Sequence, residues 1–232
     1  MIPLRDNIPR TSTPVVTVGL IIVNTLIFLY QLTIPARFEE SFIFTYSMVP
    51  ARLTHALTAP GIPLEAALLP FVTSMFLHGG WMHLIGNMWF LWIFGDNVED
   101  RLGHIGYLLF YLLCGLGAGL AHVIMNLQST LPSLGASGAI SGVLGAYIVM
   151  FPRARITTLV PLLIIFFTVQ LPAVVILGYW FVIQILSGLG SVGGGPSGGV
   201  AWWAHIGGFL LGMILIRVWP KRPQPFRYVA GY

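Results

Sequence analysis

From Ile105 to Met125 the chain runs without a single Asp, Glu, Lys or Arg. About 20 mostly apolar residues at ~1.5 Å each are what an α-helix needs to cross ~30 Å of hydrocarbon. Five further runs have the same character: 15–32, a segment centred on 81–94 that ends near Gly103, 137–151, 172–188 and 200–218. Only 8% of the residues are charged and 56% are hydrophobic, whereas a soluble domain carries about 25% charged residues. A surface so poor in charge has to be covered by lipid. The expected fold class is therefore an all-α, multi-pass membrane protein of six transmembrane helices, with a short central helix at 137–151. The expected division is an N-terminal segment (1–14), one membrane domain (15–218) and a C-terminal tail (219–232). The first apolar run is not followed by a small-residue cleavage pattern, so it reads as a retained helix. The apolar segment 158–169 is bracketed by Pro161 and Pro172 and is expected to be an interfacial or re-entrant connection. The connection from Ile34 to about Pro70 is semi-apolar and is expected to lie partly in the interface.

The basic residues test that count. With the N-terminus in the cytoplasm and six alternating helices, Arg5, Arg10, Arg101, Arg153, Arg155, Arg217, Lys221, Arg222 and Arg227 all fall on the inner side. Only Arg37 and Arg52 fall outside. This is the asymmetry of the positive-inside rule, and it accounts for the net charge of +4 without nucleic acid as a partner. An odd number of helices would move the four C-terminal basic residues outside. Both termini are thus expected in the cytoplasm. One cysteine, Cys114, allows no internal disulfide and no cysteine-based metal site.

Several polar side chains sit where hydrocarbon disfavours them. The second helix carries His83 and Asn87 near its start, the fourth begins at Ser137, and the sixth carries His205 near its start. All three helices start on the outer face, so the four side chains lie at similar depth. Polar groups in a membrane cost several kcal/mol unless partnered, so they turn toward the bundle interior. The fourth helix has fifteen residues, covering roughly 22 Å, less than the hydrocarbon thickness. With its inner end held near Arg153 and Arg155, Ser137 would lie submerged in a cavity reached by water. Each residue alone has a blander explanation. Ser137 could be an N-cap; Asn87 could bond a neighbouring helix; Gly138, Gly142, Gly145, Gly208 and Gly212 read as close-packing positions. That packing would also bring Ser137 and His205 within reach of each other.

A serine hydroxyl becomes a useful nucleophile once a base takes its proton, and His205 is the candidate base. A triad would add an acid, but Asp6, Asp96, Asp100 and Glu99 map to the inner side, and Glu39, Glu40 and Glu65 to the outer loop. By elimination the expectation is a Ser–His dyad with the imidazole oriented by packing. Donors for an oxyanion would be the free N–H groups at the start of the fourth helix together with His83 and Asn87, which share a helix face. His78 lies just outside the second helix, where it could order the entry. No HExxH occurs, and no metal or other cofactor is expected. The substrates would be transmembrane proteins cut near the outer boundary, with membrane lipids as the other partner.

These residues resemble the rhomboid intramembrane serine proteases. Gly135-Ala136-Ser137-Gly138 is similar to the family's GxSG motif, and His78, His83 and Asn87 to its HxxxxHxxxN pattern. Glu99 to Gly103 is similar to ExRxG, and Ala204-His205 with Gly207-Gly208 to the last catalytic block. The resemblance covers about 71–217. It implies a six-helix rhomboid-like bundle with Ser137 as nucleophile, His205 as general base, and Asn87, His83 and the Ser137 N–H as the oxyanion site. It also implies that the glycine-rich loop 188–199 caps the site and that the fifth helix is a lateral gate. Two features depart from the family pattern: the first long loop contains no tryptophan, and Ser141 stands where an aromatic often packs on the histidine. The alternative function is a non-catalytic rhomboid-like protein that binds client helices; a transporter would call for intramembrane charges or two similar halves. A minimal form without a soluble domain suggests a bacterial cell membrane.

Overall fold

The computed structural model describes residues 2–59, 61, 63–162, 165–191 and 200–222. A short strand, β1 (Ile2–Arg5), precedes the first long helix, α1 (Val15–Gln31). The connection that follows folds into α2 (Ala36–Tyr46), α3 (Pro50–Thr58), α4 (Leu64–Leu68), α5 (Pro70–Thr73) and a 3-10 turn (Ser74–Phe76). Then come α6 (Trp81–Leu102), α7 (His104–Met125), α8 (Ser137–Met150), β2 (Arg155–Leu162), β3 (Ile165–Pro172), α9 (Ala173–Ser191) and α10 (Trp202–Val218). The apolar helices thus start and stop within a few residues of the expected bounds. Prolines mark several boundaries because they lack the donor that a helix interior needs: Pro14, Pro35 and Pro63 stand just before α1, α2 and α4.

Among the described residues two helices, α7 and α9, are long and apolar enough to cross a membrane on their own. A third candidate is a bent pair, Leu64–Phe76 with Trp81–Leu102, turned by 77° at the break; α1, α8 and α10 are shorter apolar helices. Large apolar side chains are exposed along α1 (Ile22, Leu26, Leu29), α7 (Leu109, Leu120, Ile124) and α9 (Val175, Val182, Leu186). Lipid, not water, suits such faces. This is a largely helical membrane protein.

The all-α expectation needs one correction. The segment 158–169, expected as an interfacial or re-entrant connection, lies in a β-hairpin, and it pairs with the N-terminus in the sheet order β1-β2-β3. All pairs are antiparallel; Arg155 faces Pro172 and Leu162 faces Ile165 across the hairpin, while Ile2 faces Leu159 on the other side. The residues are β-branched and aromatic (Ile156, Thr157, Thr158, Val160, Phe166, Phe167, Thr168, Val169), which suits strands. Pro161 and Pro172 sit near the hairpin tip and at the strand end, where a missing donor does least harm. A short apolar run fits helix or strand equally by length and hydropathy, so periodicity alone does not separate the two; here the two halves pair with each other over eight residue pairs, and residues 2–5 add a third strand.

The core lies around α8. Every residue from Gly138 to Tyr147 is buried, as α8 packs against α10, α7, α6 and α9. Glycines set the approach. A methyl group built on Gly212 would lie 2.0 Å from the Gly142 carbonyl oxygen, and one on Gly208 would lie 2.1 Å from that of Gly138. On the other face of α8, a methyl on Gly142 would meet Cys114 Cβ of α7 at 2.3 Å. Backbone therefore touches backbone, the arrangement that small residues permit between membrane helices.

Contacts sort the helix ends into two levels. At one end Asn97 of α6 and Tyr147 of α8 both hydrogen-bond the Asp6 carboxylate, the Arg155 N–H donates to Asn7, and the Arg222 N–H donates to the Arg101 carbonyl at 2.7 Å. Glu99, almost fully buried, receives the N–H groups of Val16 and Thr17 at 2.9 and 2.8 Å and His104 at 2.6 Å. This carboxylate caps the first turn of α1 from another helix, where a negative charge meets the positive end of the helix dipole. At the opposite end Gln31, the last residue of α1, clamps the His78 backbone, accepting its N–H at 3.1 Å and donating to its carbonyl at 3.2 Å.

Candidate active site

Ser137 opens α8 because the chain before it cannot be helical. Gly135 has φ +124°, a left-handed conformation that glycine adopts without strain. The irregular stretch leading to it has its backbone paired: Ser133 and Met48 exchange N–H···O bonds at 2.7 and 3.0 Å, and the Gly135 N–H donates to the Ser74 carbonyl at 2.8 Å. Irregular backbone inside a membrane needs such partners. Gly135 must be glycine for a second reason. A Cβ there would lie 2.7 Å from His83 Nε2 and 3.6 Å from Asn87 Nδ2. Those two α6 side chains therefore come close over the turn that precedes Ser137.

His205 Nε2 lies 2.8 Å from Ser137 Oγ. Close packing of α8 on α10 through Gly138, Gly142, Gly208 and Gly212 sets this distance, since those glycines all lie within about two turns of the two side chains. A cavity of about 570 Å³ opens beside the pair, lined among others by His83, Asn87, Ser137, Ser141, Trp180 and His205. Asn87 is buried, and its Nδ2 has no hydrogen-bond partner among the described residues. An unpaired buried donor beside a cavity is costly unless something occupies the cavity and accepts from it. His83 Nδ1 accepts from the Gly79 N–H at 3.4 Å, which leaves its proton on Nε2, the nitrogen turned toward Gly135. The first N–H groups of α8 have no intrahelical acceptor. Donors from two helices thus converge near the serine.

The structure brings together His83, Asn87, Ser137 and His205 and leaves the other singled-out residues at the margin. His78 is buried, with its ring edge-on to His83 at 5.2 Å between centroids, and it does not line the cavity; it supports the α6 entry through Gln31. Gly138 packs against α7, where a methyl group would lie 2.7 Å from Ala118 Cβ. Ser141 donates to the Ser137 carbonyl at 2.6 Å, a bond within its own helix that does nothing to hold the imidazole. The glycine-rich segment expected as a cap falls, for 192–199, outside the described residues.

Sequence reasoning missed what holds the histidine. His205 Nδ1 lies 2.8 Å from Gln184 Oε1, and the Trp180 ring sits 5.9 Å from the imidazole at an interplanar angle of 36°. Trp202 meets it edge-on at 6.3 Å. Gln184 and Trp180 are four residues apart on α9, hence on one face. The available signal was an amide in a helix that is otherwise nearly all apolar; such a residue usually faces the bundle and has a partner there.

Known proteins agree with the geometry. The Rhomboid domain family matches residues 65–222. Rhomboid-like protein 11, chloroplastic, of Arabidopsis thaliana is 35% identical over 156 residues, covering 66% of this chain and 53% of its own length. Rhomboid protein 1, mitochondrial, of Saccharomyces cerevisiae is 30% identical over 156 residues, 63% of this chain and 40% of its own length. Rhomboid protease GluP of Bacillus subtilis is 34% identical over 130 residues, 53% of this chain and 23% of its own length. The chain spans about half or less of the length of these relatives. The matched segment contains the GxSG turn, the α6 histidine and asparagine, the capping glutamate and the α10 histidine, and this chain belongs to the rhomboid family.

Proposed function

We propose that this protein is an intramembrane serine endopeptidase that cleaves transmembrane proteins near the outer boundary of the membrane. The observation that carries the reading is the 2.8 Å separation of His205 Nε2 and Ser137 Oγ beside a cavity. As the Ser137 oxygen attacks a peptide carbonyl carbon, its proton passes to His205 Nε2. The carbonyl oxygen becomes an oxyanion, held by Asn87 Nδ2, His83 Nε2–H and the Ser137 N–H. The imidazolium then gives its proton to the departing amine, leaving an acyl-enzyme that water hydrolyses by the reverse route. The orphaned Asn87 donor supports this role, because an oxyanion supplies the acceptor it lacks. His78, Gly135 and Gly138 serve the site by position and spacing, and none of these steps uses a metal or cofactor.

The membrane arrangement belongs to the same proposal. Six spans (α1, α6, α7, α8, α9 and α10) leave both termini on the side with Arg101, Arg155 and Arg217, the cytoplasmic side by charge. Residues 15–218 act as one catalytic membrane unit between short terminal segments. The expected bacterial cell membrane is not supported by relatives named for chloroplasts and mitochondria.

The test is cleavage of a panel of tagged transmembrane proteins by the purified full chain. Wild type should produce discrete fragments, and Ser137→Ala none. Equal cleavage by Ser137→Ala would remove the reading and favour a rhomboid-like protein that only binds client helices.

A further inference from the structure

We infer that Gln184 is a positioning residue for the dyad: its side-chain carbonyl accepts the Nδ1–H of His205 and so keeps Nε2 unprotonated toward Ser137. The inference rests on the proposed proteolytic reading and adds the third member that the dyad was expected to lack. It places this member on α9, a helix that carries neither of the reacting groups.

Gln184 Nε2 donates to the Trp180 carbonyl one turn earlier, at 3.2 Å. A backbone carbonyl only accepts, so the nitrogen end of the amide must face it. The oxygen end is then turned to His205, 2.8 Å from Nδ1. An amide oxygen likewise only accepts, so Nδ1 must carry the ring proton. In a neutral imidazole the other nitrogen, Nε2, is then the acceptor. Nε2 lies 2.8 Å from Ser137 Oγ, and the hydroxyl donates to it. The chain from the Trp180 carbonyl to the Ser137 hydroxyl has one consistent pattern of protons, and it is the pattern in which His205 can act as a base.

The site is built for this role. Gln184 is 4% exposed, so water does not compete well for the amide. Trp180, on the same face of α9, lies against the imidazole and limits its tilt. Ser141, at the position where an aromatic would otherwise brace the ring, is turned back into its own helix. The bracing group and the orienting acceptor have thus both moved to α9. Unlike an aspartate, the amide is neutral, and it can be buried among apolar helices without the large cost of an unpaired charge.

The test uses the purified full chain and a tagged transmembrane substrate, with kcat and KM measured separately. Gln184→Met keeps the length of the side chain but removes the carbonyl oxygen. It should lose roughly ten- to a hundredfold in kcat, the span expected for leaving a buried donor unpaired, with KM within about twofold of wild type. Labelling of Ser137 by a serine-reactive phosphonate should slow by a similar factor. Gln184→Glu offers an acceptor at the same reach and should recover most of the kcat. Gln184→Leu is read in the same way if the methionine variant melts early. Wild-type kcat in a folded Met or Leu variant overturns the inference, as does a loss that lies wholly in KM, or a Glu variant no better than Met. Ser137→Ala run alongside separates the two levels. Cleavage by that variant sinks the proteolytic reading itself, whereas an inactive Ser137→Ala beside a fully active Gln184→Met removes Gln184 alone.

Discussion

The α8–α10 pair and helix α9 both contribute to the candidate active site, yet they are packed in opposite ways. In α8 and α10 the glycines are spent on contact: a methyl on Gly145 would stand 2.1 Å from the Phe209 carbonyl oxygen, as close as those on Gly208 and Gly212 to α8. In α9, Gly178 and Gly190 have nothing within 4 Å of such a methyl among the described residues, and one on Gly188 would meet only side chains of α10, at 3.3 Å or more. The proposed reacting groups, Ser137 and His205, ride on the pair that cannot separate without losing backbone contact. The groups that hold the imidazole, Gln184 and Trp180, ride on a helix whose outer face (Val175, Val182, Leu186) is exposed. On the proposed reading, the distance between nucleophile and base is set by the tight region, and orientation of the base by the loose one. A site divided in this way would keep its two side chains in register while one wall stays free of close backbone contacts among the described residues.

The largest effect that would break this comparison comes from Gly212→Ala. Its new methyl meets the Gly142 carbonyl, and backbone cannot rotate away as a side chain can. Overpacking of this kind costs about 1–3 kcal/mol or more. Thermal unfolding in detergent should report that loss, and cleavage should fall with it because α10 carries His205. A variant as stable and active as wild type would mean that the glycine seam does not set the dyad distance.

A smaller effect lies at the far end of the bundle, where Asp6 joins the N-terminal segment to Asn97 and Tyr147. Burial raises its pKa to about 6, against hydrogen bonds that pull it down. The folded protein therefore holds a proton that the unfolded chain has released above its ordinary carboxylate pKa. Stability from this group is full below about pH 4 and is lost as pH rises through about 6. Unfolding midpoints measured from pH 4 to 7 should decline over that window, and Asp6→Asn should flatten the decline. An unchanged slope in Asp6→Asn would assign the pH dependence elsewhere.

Gly178→Ala should give the smallest change, and of opposite sign. With open space around it and a helical backbone, alanine stabilises by up to about 1 kcal/mol through helix propensity and lower unfolded-state entropy. Destabilisation there would mean that α9 packs more tightly than its open glycines indicate, and the contrast between the two regions would narrow.

The same contrast explains what could be read from the sequence. The apolar runs marked α1 and α6 to α10 to within a few residues, because hydropathy reports how each segment meets its surroundings. The proximity of Ser137, His205, His83 and Asn87 was legible because the expected topology put four polar groups at one level and on one side. The sheet was not legible: 155–172 is an apolar run of ambiguous period, and its third strand comes from residues 2–5, about 150 positions away. Gln184 was half legible: an amide in an apolar helix implies a partner, but that partner is on another helix and its identity emerges only when the helices are assembled. Glu99 illustrates the reverse case. It was visible as part of a motif, but its task of capping α1 emerges only when the helices are assembled.

Activation of the Ser137 hydroxyl by the His205 imidazole within the bundle can be read from mass-spectrometric mapping of the residue modified by a serine-reactive phosphonate, in wild type, Ser137→Ala and His205→Ala. One adduct on Ser137 is expected in the wild type, none in Ser137→Ala, and a rate in His205→Ala reduced by several orders of magnitude. An adduct on Ser141 or on a serine outside the cavity, or labelling that is indifferent to His205, would contradict it.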